Sequence, residues 1–206
     1  MKILIAIPCM DSVPVGFCQS LAQLKKIGEC SLAMNAGSLV YHSRDALAIK
    51  AVQNDYDYVL WLDSDMTFPA DLLIRMMDTL QKNDLDFLTG LYFRRQLPYS
   101  PVLFEKFELN GDLASWKNIQ ELPEGGLFEV EGCGFGCVLM KTDVILDVQG
   151  KFRKMFEPKN NCGEDLAFCW RARQCGYKVI CDPTIECGHV GHVTISRDFY
   201  EAYKQH

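Results

Sequence analysis

Positive charge is in short supply in this chain. Lysine and arginine together number 21 against 27 aspartates and glutamates, a formal net charge of −6 at pH 7. A nucleic-acid footprint needs a basic face, so no nucleic-acid partner is expected. A small anionic ligand stays compatible, because a bound divalent cation inverts the local sign. Also missing is any apolar run near the ~18 residues of a membrane-crossing helix. At the N-terminus, Lys2 is followed only by Ile3 to Ile7 before Pro8 interrupts, which is the wrong shape for a secretory signal. A cytoplasmic protein without a transmembrane segment is the expectation. No Cys-x-x-Cys pair occurs, although there are ten cysteines. Dispersed thiols in a well-cored intracellular chain are expected to be reduced and packed as small hydrophobes. Five of them, Cys162, Cys169, Cys175, Cys181 and Cys187, precede His189 and His192. A structural zinc site there is the rival arrangement.

What the chain does have is a proper core. With 206 residues, 49% hydrophobic and 23% charged, it fits one large domain. Lys2 to Pro8 and Tyr58 to Leu62 are continuous apolar runs, typical of strands buried on both faces of a parallel sheet. Between them lie a helical period over Val15 to Ile27, a short strand over Cys30 to Asn35, and a helix ending near Asn54. That second helix carries the apolar stripe Val40, Leu47, Ala48, Ala51 and Val52. Pro69 opens a further helix that reaches Asn83, and Asp86 to Phe93 read as a strand. This alternation predicts an α/β fold with a mostly parallel central sheet flanked by helices, its front half (1–93) of the Rossmann-like nucleotide-binding kind. The back half (94–206) reads as mixed and acceptor-facing. It has short strands at Pro101 to Phe107, Leu127 to Glu131 and Val138 to Lys141, and helices at Thr142 to Val148 and Glu164 to Cys175. A last strand at Tyr177 to Cys181 and a helical tail after Ser196 complete it.

The buried strand at Tyr58 ends in Asp63-Ser64-Asp65. Carboxylates are costly to bury unless they are paired or bind a cation, and ligands of open α/β sheets sit at the carboxyl ends of the strands. Two hard oxygen donors suit Mg²⁺ or Mn²⁺ shared with substrate phosphates. The plain alternative is an Asp-rich turn. His189 and His192, in Gly188-His-Val-Gly191-His, could complete such a site with a neutral imidazole. Glu164 and Asp165 open a helix, where a carboxylate suits the dipole and could equally take a proton from a hydroxyl. Arg44 could reach a phosphate or a base, Arg94 and Arg95 could steady a diphosphate, and Asp11 could accept from a base or ribose. A glycine-rich triphosphate loop with a lysine after the first strand is absent, against the rival reading of a sugar nucleotidyltransferase.

The ordered set Ile5-Ala6-Ile7-Pro8, Ser43-Arg44-Asp45, Leu62-Asp63-Ser64-Asp65, Gly90-Leu91-Tyr92, Gly132-Cys-Gly-Phe-Gly136 and Gly163-Glu164-Asp165-Leu166 resembles the family-2-like branch of the GT-A fold glycosyltransferases. The resemblance spans nearly the whole chain. It implies a single GT-A type domain and transfer of a hexose-type sugar from a UDP- or GDP-sugar to a hydroxyl acceptor, with Mn²⁺ or Mg²⁺. Asp65 would bind the metal, Asp63 the ribose or metal, and Pro8, Asp11, Arg44, Ser64 and Arg94 would lie near the nucleotide. Asp165 would take the base position of inverting members. Val190-Gly191-His192 is also similar to the metal-binding Val-Gly-His of polypeptide GalNAc-transferases, which retain configuration. Inversion is favoured, and His189 is preferred to His192 as the third ligand.

Overall fold

Seven strands form one twisted sheet in the computed structural model, which describes residues 1–110, 113–123, 125–191, 197 and 201. In chain order the elements are β1 (Lys2–Cys9), α1 (Val15–Gln23), β2 (Glu29–Ala36), α2 (Val40–Gln53) and β3 (Tyr58–Leu62). Next come β4 (Met66–Thr67), α3 (Leu72–Lys82) and β5 (Phe87–Leu91). The back half adds β6 (Leu103–Asn110), β7 (Leu113–Asn118), β8 (Phe128–Val130), β9 (Gly132–Cys133) and β10 (Cys137–Lys141). It ends with α4 (Thr142–Phe152), α5 (Glu164–Gln174), β11 (Val179–Glu186) and β12 (Gly188–His189). The predicted tail helix falls largely outside the described residues.

The large sheet runs β2-β1-β3-β10-β5-β11-β8. Its β1–β2, β1–β3 and β5–β11 pairings are parallel, while β3–β10, β10–β5 and β11–β8 are antiparallel. The expected mostly parallel sheet is therefore a mixed one. The cause is the segment 132–136, which delivers the chain to the carboxyl end of β3. β10 can then only run back down between β3 and β5, pairing Cys137 with Leu62 and Lys141 with Tyr58.

Alternation along the strands divides the core in two. Ile3, Ile5, Ile7, Leu60 and Leu139 face Phe17 of α1 and the apolar stripe of α3. Leu4, Ala6, Val59, Trp61 and Val138 face α2, α4 and α5. Several boundaries differ from the sequence reading, three of them most clearly. α1 stops at Gln23 and α4 continues to Phe152, while β11 runs on through Pro183 by way of a register shift between Asp182 and Glu186. A proline is tolerated in a strand where the ladder is interrupted, as here. Thr142 is the first residue of α4, and its hydroxyl has no hydrogen-bond partner among the described residues. Among the described residues no helix is long and apolar enough to cross a membrane. All ten cysteines are free.

Candidate functional site

The parallel strands β1, β3, β5 and β11 all end at the same edge, and the loops there enclose a cleft of about 540 Å³. That volume is ordinary for a small-molecule site. One wall is made by Pro8, Cys9 and Met10 at the end of β1 together with Ser38, Val40 and Ser43 around the start of α2. The floor carries Asp63, Ser64, Asp65 and Tyr92, and the far wall Arg94, Arg95, Glu164, Asp165 and His189. Asp11, expected near a nucleotide, is exposed on its loop and lies outside this lining. His192 lies outside the described residues.

Two acids separated by one serine end up with different partners. The turn that closes when Met66 N–H donates to the Asp63 carbonyl (3.2 Å) sends the two side chains apart. Asp63 Oδ1 accepts from Arg44 Nη2 at 2.8 Å. Arg44 sits in the buried stripe of α2, in register with Leu47, Ala48 and Ala51, and is 1% exposed. Helical periodicity therefore drives its guanidinium under the cleft floor, over the rings of Phe135 (5.1 Å) and Trp61 (5.9 Å). There it also meets Glu164 Oε1 at 3.4 Å and Asp165 Oδ1 at 3.2 Å. The Asp165 approach is an ion-pair contact without hydrogen-bond alignment. Asp165 Oδ1 and Arg44 Nη1 consequently have no hydrogen-bond partner among the described residues.

One guanidinium serves three carboxylates in this cluster. Burial works against the Arg44 charge, but Asp63, Asp165 and Glu164 outweigh it and hold the pKa above its ordinary value. Asp165 goes the other way. Burial, aided by the charges of Glu164 and Asp63 and opposed by Arg44, pushes it up to about 8.

Asp65 belongs to a second cluster. Its Oδ2 lies 2.6 Å from Arg95 Nη1 and 3.4 Å from His189 Nε2. Burial raises the Asp65 pKa, but the hydrogen bond and charge of His189, with Arg95 behind them, leave it below the usual value. His189 is raised by the same contact with Asp65. The histidine is aimed by β12, which pairs antiparallel with β4 and sets His189 opposite Met66, one residue past Asp65. Val190 N–H donates to the Asp65 carbonyl at 2.8 Å, and His189 Nδ1 lies 2.9 Å from the Phe93 carbonyl. A carbonyl only accepts, so Nδ1 carries the proton there, leaving Nε2 towards Asp65.

Several cleft residues were given no role from the sequence, although Ser43 and Tyr92 stand in the motif set quoted above. Tyr92 accepts from Gly136 N–H at 3.2 Å and meets His189 edge-on at 5.7 Å. Ser43 and Ser38 are hydrogen-bonded to each other at 2.8 Å, and Ser43 also donates to Asn35. Their positions at the carboxyl ends of β5 and β2 were the available signal. None of the cysteines of the last third joins His189 in the cleft lining. Among the described residues, no three His, Cys, Asp or Glu side chains converge as a preformed metal cage.

No sequence-family description matches the chain, and no curated protein resembles it in sequence. Solved structures share its fold, two of them as follows. Protein A197 from STIV aligns over 93% of this chain and 87% of its own, with a TM-score of 0.66 and 19% identity. GalNAc-T7, solved with UDP, GalNAc and Mn²⁺, aligns over 93% of this chain with a TM-score of 0.63 and 10% identity. This chain spans 43% of that larger protein.

Proposed function

We propose that the chain is a metal-dependent glycosyltransferase, moving a sugar from a UDP- or GDP-sugar to a hydroxyl acceptor. The observation that carries this reading is the facing pair Asp65 Oδ2 and His189 Nε2, 3.4 Å apart at the carboxyl edge of the sheet. With Nδ1 committed to the Phe93 carbonyl, a neutral His189 turns a lone pair towards a carboxylate. Two acceptors in that arrangement need a proton or a cation between them. A carboxylate and an imidazole, backed by a carbonyl that fixes the ring, suit Mn²⁺ or a related divalent ion. Two protein donors are too few for tight binding alone and match an ion shared with a diphosphate. A solved protein of the same fold that holds UDP and Mn²⁺ supports the same chemistry.

When bound, the cation would supply Lewis-acid stabilisation of the charge on the departing diphosphate. The chain's own residues do the rest. Pro8, Met10, Ser38 and Ser43 form the wall for base and ribose, so the front half (1–93) holds the nucleotide. Asp63, whose Oδ1 is held by Arg44, offers its other oxygen to the ribose or the cation, and Ser64 lies between the two acids. Arg94 and Arg95 face the diphosphate. The back half (94–206) supplies His189 and the acceptor side.

In a single inverting displacement, the acceptor oxygen bonds to the anomeric carbon as the bond to the diphosphate breaks. The acceptor proton passes to Asp165, with Glu164 beside it. A carboxyl raised to about 8 holds its own proton at lower pH and becomes able to take the acceptor's proton as it ionises towards pH 8. The test is a panel of UDP- and GDP-sugars assayed for nucleoside diphosphate release with and without Mn²⁺. Release that needs Mn²⁺ and falls about a hundredfold in Asp65→Ala supports the reading. Metal-independent release with wild-type turnover in Asp65→Ala sinks it.

A further inference from the structure

Two arginines neutralise the carboxylates of this edge, and they are held very differently. Arg44 is 1% exposed, flanked by two aromatic rings and fixed by three carboxylates. Arg95 is 50% exposed, and its charged contact is Asp65 Oδ2. Its stem rests on Gly191, where an added Cβ would come within 3.0 Å of the Arg95 Cβ. The turn that carries it is closed by Arg94 N–H to the Ser100 carbonyl (3.0 Å) and Tyr99 N–H to the Gln96 carbonyl (2.8 Å). Backbone and stem are thus tethered, while the guanidinium is half exposed and paired with Asp65.

The oxygen that Arg95 occupies is the one His189 Nε2 faces. A guanidinium and a divalent cation repel each other when both crowd one carboxylate oxygen. We propose that Arg95 is a displaceable counter-ion, which holds Asp65 while the nucleotide site is empty and transfers to the diphosphate when cation and nucleotide arrive together. This rests on reading the cleft as a metal–nucleotide site. A cation arriving alone must expel a guanidinium whose ion pair among the described residues is with Asp65. With a diphosphate present, Arg95 exchanges one carboxylate for a more highly charged partner with matching oxygens. Metal and nucleotide therefore bind with positive coupling, and Arg95 carries part of it. Only side-chain rotation is needed, because the turn beneath is already hydrogen-bonded.

The experiment is Mn²⁺ titration followed by electron paramagnetic resonance of the free ion, alone and with UDP or GDP, on the wild type, Arg95→Gln and Arg95→Lys. Without nucleotide, Arg95→Gln is expected to bind Mn²⁺ about fivefold more tightly than wild type, the upper range for releasing one such ion pair. With the nucleotide that binds, the order reverses, and Arg95→Lys lies between the two. Equal Mn²⁺ affinity of wild type and Arg95→Gln without nucleotide overturns the counter-ion role while leaving the metal site standing. Tighter binding in Arg95→Gln that is not reversed by nucleotide overturns the transfer to diphosphate. No Mn²⁺ binding in any of the three proteins, with UDP or GDP, sinks the metal–nucleotide reading and this proposal with it.

Discussion

Arg44 and Asp63 are joined at 2.8 Å beneath the cleft floor, tying the first turns of α2 to the end of β3. The same guanidinium reaches Glu164 and Asp165 at the start of α5, so a single buried cation fixes three elements. Breaking a buried pair from one side leaves uncompensated charge and usually costs about 3–5 kcal/mol. Arg44→Leu is therefore expected to lower stability by about that amount, read from urea unfolding at pH 7. An unchanged midpoint would show that the three carboxylates do not depend on Arg44.

The Asp165 carboxyl gives a second prediction, with a definite sign. Its pKa in the fold is about 8 against an ordinary 3.8, so the folded state holds a proton that the unfolded chain releases. The associated stability is present below pH ~4 and is lost as pH rises towards about 8. Asp165→Asn, which cannot titrate, should flatten the decline in melting temperature between pH 5 and 8. Parallel curves for the two proteins would remove this assignment.

Transfer activity should follow the same group. If Asp165 is the proton acceptor, kcat/KM rises with pH through the ionisation of Asp165, and Asp165→Asn loses that rising limb along with about a hundredfold or more in rate. Donor hydrolysis unaffected by the change would favour a retaining route instead.

At the second cluster, His189→Ala and Asp65→Ala should each lower Mn²⁺-dependent turnover about a hundredfold, the usual effect of removing one contact to developing charge. The checking measurement is the Mn²⁺ concentration for half-maximal activity, which should rise in both variants. Wild-type Mn²⁺ dependence in His189→Ala would move the ligand role away from this residue.

Packing beside the cleft gives a fifth test. A Cβ added to Gly134 would run into the Tyr92 hydroxyl and come within 2.8 Å of Val102 Cγ1. Gly134→Ala should cost about 1–3 kcal/mol by overpacking, and Tyr92→Phe in the same chain should restore part of it. Additive losses in the double variant would show that Val102, not the Tyr92 hydroxyl, sets the limit.

By itself the sequence determined most of the local structure and the sheet edge at which the candidate site lies. The apolar run Tyr58 to Leu62 has the pattern typical of a strand buried on both faces, and two acids at its end marked the edge where the cleft opens. The period of α3 and the acid-led start of α5 were equally legible, because amphipathic spacing is a local property. Arg44 was half legible. It shares the register of Leu47, Ala48 and Ala51, yet a cation in an apolar stripe has meaning only once its carboxylate partners are known. Tertiary structure decided what depends on distant pairing. It placed β10 between β3 and β5, since strand order follows from contacts across the chain and not from any pattern within the strand. It likewise divided Asp63 from Asp65. Two residues apart in sequence, they turn to different cations because α2 and α5 meet beneath one, while the Arg95 turn and β12 flank the other.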